Sequence, residues 1–261
     1  MKIAKFDSCL TDAQWELIKP MLPKPKKRGR PPTDRRIIMD AILYILRGGI
    51  QWRLLPPQFP PWQTVYQTFR RWTLDAVWID INARLRAMVR ETQSKRSRPS
   101  AAILDSQSVK SDDHGGEVGY DAAKKIKGRK RHMLVDTLGL LLGVVITPAN
   151  VPEREGAKSL LSEILFYFRW LRKIWVDGGY SGVNFADWVR EQKPCLDVEV
   201  VKRSESDSFK VLPRRWVVER TFGWLMKQRR LVRDYETTER SAEAWIYIAM
   251  IRIQTRRLAN H

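Results

Sequence analysis

The period of the hydrophobic pattern changes near residue 100, and that change limits the fold more than any other feature of the chain. Before it, apolar residues recur at helical spacing. Residues 35–47 (RRIIMDAILYILR), closed by Gly48-Gly49, predict one amphipathic helix, Trp62 to Leu74 a second and Trp78 to Glu91 a third. A shorter helix opens at Leu10 to Glu16 with Thr11 as its N-cap and stops by Pro20 to Pro23. After residue 100 short apolar runs take over. Ala101 to Lys110 predicts a strand with Asp105 in its middle, Arg129 to Thr137 a second and Leu141 to Pro148 a third. The Leu138-Gly139 turn makes the last two a hairpin. Glu153 to Leu171 predicts a helix, Lys173 to Asp177 a strand, Asn184 to Gln192 a helix, Asp197 to Arg203 a strand and Arg214 to Tyr235 one long helix. The order β-β-β-α-β-α-β-α requires a mixed sheet flanked by helices. The fold class is therefore α/β, preceded by a small all-α part. Polar, aperiodic Gln93 to Ser100 marks the boundary between a helical domain, 1–95, and an α/β domain, 96–261.

Charge narrows the partner. The chain of 261 residues carries 48 Lys and Arg against 29 Asp and Glu, a formal net charge of +19. The excess is spread through folded-looking segments, which favours nucleic acid over an anionic membrane surface. Two cysteines, Cys9 and Cys195, are too few for a disulfide framework, and with His114, His132 and His261 they form no structural zinc motif. The N-terminus lacks the apolar core of a signal peptide, and the longest apolar run, Leu138 to Ile146, is too short to span a bilayer. A cytoplasmic protein, held at the nucleoid when bound to DNA, is expected.

Two segments of the helical part suggest how DNA is held. Residues 24–36 contain seven basic residues, one acid and three prolines, the composition of an arm rather than a packed element. Within it Arg28-Gly29-Arg30-Pro31 resembles the core of an AT-hook, whose arginines enter a narrow minor groove; a solvated basic linker is the alternative. The helix 62–74 presents Gln63, Thr64, Gln67, Thr68, Arg70 and Arg71, residue types that read base edges and phosphates, in a helix-turn-helix-like arrangement. A helical bundle that only packs would carry the same pattern. In the α/β part, Lys124 to Arg131 (KKIKGRKR) is a further basic run, in which Lys130 and Arg131 are candidate backbone contacts.

Three carboxylates carry the chemistry. Asp105 lies inside an apolar strand, Asp177 ends another at the turn Gly178-Gly179-Tyr180-Ser181-Gly182, and Glu219 is the one acid of a cationic helix up to Asp234. An acid within a strand is disfavoured by desolvation unless it is paired or metal-bound. Converging at one sheet edge, the three would offer oxygen ligands to hard divalent cations and so support phosphodiester chemistry. The other reading stays open: Asp105 capping a turn, Asp177 starting the next helix, Glu219 paired with Arg215 or Arg220. Asp112-Asp113-His114 is a weaker candidate, Asp136 reads as a structural acid, and Asp234 and Glu236 as solvated ones. No Walker-type loop implies ATP.

Leu104-Asp105-Ser106, Trp175-Val176-Asp177-Gly178-Gly179-Tyr180 and Arg215-Trp216-Val217-Val218-Glu219-Arg220-Thr221-Phe222 resemble, in order and context, the three acidic motifs of bacterial insertion-sequence DDE transposases. The IS-five group, in the same superfamily as IS-four, is the best match, and the resemblance extends over nearly the whole chain. It implies a ribonuclease-H-like core, two Mg²⁺ or Mn²⁺ ions, and cleavage and strand transfer at terminal inverted repeats of double-stranded DNA. It also implies a homodimer in the DNA complex. Asp105, Asp177 and Glu219 match the metal-binding triad. Arg215 fits the spacing of the superfamily's third motif, whereas Leu212 stands at its Tyr position and Met226 at its Lys position, with Lys227 one residue later. Arg215 and Lys227 thus become expected phosphate contacts. The alternative function is a catalytically silent, transposase-derived DNA-binding regulator; a stand-alone nuclease of similar fold is a third.

Overall fold

A computed structural model describes residues 6–24, 33–112, 116–181, 183–201 and 216–260. The AT-hook-like residues Arg28 and Arg30, the weak candidates Asp113 and His114, and Leu212 and Arg215 lie outside the described residues. The chain forms two compact units. One comprises Met1–Gln93, Leu225–Val232 and Ala244–His261, the other Ser94–Trp224 and Arg233–Glu243.

The first unit is helical. Helix α1 (Asp12–Ile18) starts at a capping box in which Thr11 accepts from the Gln14 N–H and the Gln14 side chain accepts from the Thr11 N–H. Helix α2 (Arg35–Gly48) is capped by Asp34 and ends on Gly49 in the left-handed conformation. Helices α3 (Trp62–Leu74) and α4 (Val77–Thr92) follow. The sequence placed one long helix at Arg214 to Tyr235. Two are observed, α7 (Trp216–Met226), which belongs to the second unit as far as Trp224, and α8 (Arg229–Val232) of the first, with Lys227 and Gln228 in a turn between them. The core of this unit is aromatic. Phe69 of α3 stacks on Trp245 at 4.8 Å, Trp52 lies 5.2 Å from Phe69 and 5.6 Å from Trp245, and Trp72 packs edge-on to Trp78 at 5.4 Å. Rings at such separations contribute beyond the area they bury. Trp245 belongs to α9 (Glu239–Ala259), a helix that hydrophobic spacing had not flagged.

The second unit is a mixed α/β structure. Strand β1 (Ala101–Lys110) pairs antiparallel with β3 (Ile126–Asp136), whose other edge carries β4 (Leu141–Pro148) and the short β2 (Gly119–Asp121). On the far side of β1, β5 (Lys173–Val176) and β6 (Asp197–Val200) run parallel to it. Parallel strands need a crossover, and α6 (Val183–Gln192) supplies it between β5 and β6.

Helix α5 (Glu153–Ile164) joins β4 to β5 and packs on β3 and β4. Gly156 makes that packing possible: a Cβ there would stand 2.1 Å from Nε2 of the buried His132. Leu104, Leu134, Val145, Leu160, Leu161, Ile174, Val176 and Tyr180 fill the core beneath α5. Helix α7 is tied to the β3–β4 turn, Thr221 Oγ1 donating to Gly139 O and Arg220 Nη2 to Leu138 O. Asp136, an expected structural acid, closes that turn by accepting from the N–H groups of Leu138 and Leu140. Asp234 and Glu236, expected to be solvated, are instead buried, because Asp234 lies 3.5 Å from the enclosed guanidinium of Arg129.

Candidate functional site

Sheet register brings two of the three acids to one level. In the parallel pair, Ile103 stands opposite Trp175. Two residues further along each chain come Asp105 and Asp177, on neighbouring segments where β5 has just ended. Both are partly exposed. Asp177 Oδ1 accepts from the Gly179 N–H at 2.9 Å, which fixes the carboxylate at the mouth of the turn. Asp105 Oδ1 accepts from the Ser106 N–H at 2.7 Å.

A further acid lies across Gly179 from Asp177. Glu153, the first residue of α5, accepts from Ser106 Oγ at 2.9 Å and from Lys124 Nζ at 3.1 Å, both on Oε1. Burial pushes its carboxyl up, but the hydrogen bonds from Ser106 and Lys124 and the charges of Lys124 and Lys130 outweigh that and hold it below the usual range. An ideal Cβ on Gly179 would lie 2.7 Å from Glu153 Oε2 and 3.1 Å from Asp177 Oδ1, so a side chain there would push into the space between the two carboxylates. Arg154 Nε donates to Gly179 O at 3.1 Å and anchors the turn to α5. Sequence reading missed Glu153. Its one signal was a carboxylate in the first turn of a helix, which the helix dipole explains equally well.

Beneath the acids lies Tyr180, 1% exposed. Its hydroxyl is raised well above its ordinary range, first by burial and then by the charges of Asp105, Glu153 and Asp177, against a lowering pull from the adjacent Ser106. It completes no hydrogen bond with any described group. A buried hydroxyl left in this state below converging carboxylates, and a cradle that a single Cβ would fill, suit a small hard cation with its water. Glu219 occupies the first turn of α7 and is exposed. The described residues contain no group of three or more His, Cys, Asp or Glu side chains already gathered to hold a metal ion.

Residues 96–253 match the transposase DDE domain, and residues 10–82 match a second family model, that of the IS4/5 transposases. The chain belongs to the IS4/5 family of DDE transposases. It is 32% identical over 117 residues to the "Insertion element IS402 uncharacterized 16.2 kDa protein" of Burkholderia cepacia, a match covering 42% of this chain and 78% of the relative. It is 38% identical over 64 residues to "Uncharacterized protein y4sN" of Sinorhizobium fredii, covering 24% of this chain and 51% of that protein. Family membership makes divalent metal the expected cofactor class and DNA the expected partner.

In this transposase the expected DNA contacts fall into two kinds. Gln63, Arg70 and Arg71 are exposed on α3. With Trp62, Tyr66, Gln67, Leu74 and Asp75 they line a concavity of about 660 Å³. Lys227 is exposed in the turn after α7, and its carbonyl accepts from Arg47. Lys130 and Arg131 stand differently and require a correction. Both are inside the protein, at 6% and 2% exposure, because β3 is covered on both faces. Lys130 Nζ donates to Val151 O at 2.9 Å and lies 3.7 Å from Asp121. Lys124, Lys125 and Lys127 of the same basic run remain exposed. No helix among the described residues is long and apolar enough to cross a membrane.

Proposed function

We propose that this transposase binds the terminal inverted repeats of its element and carries out metal-dependent strand cleavage followed by strand transfer. The observation that carries this reading is the shared level of Asp105 and Asp177 on the parallel pair β1 and β5, within a matched DDE domain. A β1–β3–β4 antiparallel half joined to parallel β5 and β6, with helices packed on it, supports a ribonuclease-H-like core in the α/β domain, 96–261. The helical domain, 1–95, draws the segments Leu225–Val232 and Ala244–His261 into its compact unit.

Asp105, Asp177 and Glu219 are the residues that would hold two Mg²⁺ or Mn²⁺ ions. When bound, such ions supply activation of the attacking hydroxyl and charge neutralisation at the leaving oxygen. The chain's own task is to orient and hold. Asp177 is fixed by its turn, Asp105 by the adjacent N–H, and the half-exposure of both lets a phosphodiester approach. Water is the nucleophile in cleavage and the freed 3′-hydroxyl in strand transfer, so one acidic site serves both in-line steps.

Helices α2 and α3 supply a helix-turn-helix-like reader, with Gln63 directed to base edges and Arg70 and Arg71 to phosphates. Arg28 and Arg30 add a minor-groove arm, and Arg215 and Lys227 add phosphate contacts. A homodimer brings two ends together, and the reaction takes place on cytoplasmic, nucleoid-held DNA. The test is cleavage of DNA carrying the element's own flanking repeats, in Mg²⁺ or Mn²⁺. Asp105→Ala, Asp177→Ala and Glu219→Gln should each abolish nicking and leave end binding intact. Binding without cleavage by the wild type would identify a regulator. Cleavage without strand transfer would identify a nuclease. Near-normal nicking by the single mutants would remove the triad.

A further inference from the structure

The acidic site has more built geometry than the three family motifs account for, and the additional residue comes from α5. Glu153 precedes Asp177 in sequence by a whole helix, yet its Oε2 and Asp177 Oδ1 flank one point, the position a Cβ on Gly179 would take, at 2.7 and 3.1 Å. Its Oε1 is fixed by Ser106 Oγ at 2.9 Å, and Ser106 directly follows Asp105. Gly156, seated on His132, sets the depth of α5, and Arg154 ties the same helix to Gly179 O. Glu153 is thus held between the two aspartates by contacts on both sides. Below it the enclosed Tyr180 hydroxyl, 1% exposed, has no completed hydrogen bond.

We propose that Glu153 is a further carboxylate ligand of the divalent-cation site, acting across the Gly179 cradle from Asp177. The inference rests on the reading of Asp105 and Asp177 as cation-holding acids. Carboxylate oxygens facing one cradle are the donor set a hard cation takes, with water completing its shell. The ammonium of Lys124, 3.1 Å from Oε1, is the positive charge beside this carboxylate. Lys124 is on the surface and can withdraw when a divalent ion enters.

Direct Mn²⁺ binding to the full chain without DNA, followed by the electron paramagnetic resonance of free Mn²⁺, tests this without reference to activity. Glu153→Gln should weaken Mn²⁺ binding about tenfold or more, as Asp177→Asn should. Lys124→Ala, a surface change that leaves the fold in place, should tighten binding severalfold by freeing the carboxylate. It keeps the test decisive if Glu153→Gln fails to fold. Wild-type affinity in Glu153→Gln, with binding lost in Asp177→Asn, overturns the role of Glu153 alone. Unchanged or weaker binding in Lys124→Ala also counts against it. Wild-type affinity in both Asp105→Asn and Asp177→Asn overturns the underlying reading of the site together with this proposal.

Discussion

On β3 the side chains of Arg129, Lys130 and Arg131 are 1%, 6% and 2% exposed, whereas on α3 Gln63, Gln67, Arg70 and Arg71 face solvent. Both runs, Lys124 to Arg131 and Trp62 to Leu74, read as basic, and neither contains an acid to flag the difference. The distinction is positional. Strand β3 has β1 on one edge, β4 on the other and α5 across one face, so the charges from Arg129 onward are enclosed, while Lys127 near its start stays exposed. Helix α3 buries one stripe, Val65, Thr68, Phe69 and Trp72, and leaves the other to water. Cationic sequence is therefore offered to a polyanion only where the fold leaves a face uncovered.

The largest effect expected from this contrast is at Arg129. Its guanidinium donates to the carbonyls of Glu117 at 3.0 Å, Glu236 at 2.9 Å and Thr237 at 3.4 Å, and lies 3.5 Å from Asp234. Arg129→Ala removes the guanidinium that lies 3.5 Å from the buried Asp234 and leaves three carbonyls without a donor. A loss of about 3 to 5 kcal/mol is expected, measured as a fall in the urea midpoint. Arg131 is the control on the same strand. Burial lowers it to about 10 against the raising charge of Asp234, and its Nε and Nη1 make no hydrogen bond. Arg131→Met should cost less than about 1 kcal/mol or stabilise. Equal losses at both positions would break the claim that partnering, and not burial alone, sets the cost.

Much of this could be read from the chain, and the failures have physical causes. Strand β1, strand β4 and helix α3 begin and end where their hydrophobic patterns do. Strand β2 is three residues inside a charge-rich segment, too short to establish a period. Helix α9 has its buried residues distributed around much of its circumference, so it lacks the one-sided stripe that marks a helix. The break at Lys227 and Gln228 carries no Gly or Pro to announce it. In the site, Asp105 and Asp177 stood out as acids at apolar strands. That they share a level follows from β1 pairing with β5, a contact between segments some seventy residues apart that no local pattern encodes. Glu153 was hidden for the same reason: its place across from Asp177 depends on where Gly179 arrives.

Acids obey the rule that β3 sets for bases, and Glu243 sharpens it. This carboxylate accepts from the Ile146 N–H at 3.2 Å. Burial, followed by the charges of Glu163 and Glu239, raises it to about 7, against the lowering effects of Ile146 and Arg240. A raised carboxyl binds its proton in the folded state while the unfolded chain has already released it. Stability from this group is therefore greatest below the unfolded value near 4.5 and falls as pH rises toward 7, by about 3 kcal/mol. Glu243→Gln should flatten that slope and stabilise the protein at pH 8 relative to wild type, as read from melting temperature across pH 5 to 8. His132 supplies an opposing slope. Burial lowers it to about 4, so the neutral ring favours the fold above the histidine range and loses that advantage as pH falls. Comparison of the Glu243 variant with the wild type cancels the His132 contribution, and an unchanged difference between pH 5 and pH 8 would remove the assignment.

The smallest effect on folding, and the most informative on binding, is expected on α3. Arg70 and Arg71 line the exposed concavity with Gln63 and Gln67, and none of the four side chains contributes to the aromatic core. Replacing both arginines by Ala should shift stability by less than about 0.5 kcal/mol. End-DNA affinity should fall, and the slope of log K against log salt should flatten by about one for each lost phosphate contact. Gln63→Ala should behave differently, reducing discrimination between the element end and unrelated DNA while leaving the salt slope unchanged. Should the arginine pair leave both affinity and salt slope untouched, α3 is a packing helix with a solvated face, and its charges are no more available to DNA than those enclosed in β3.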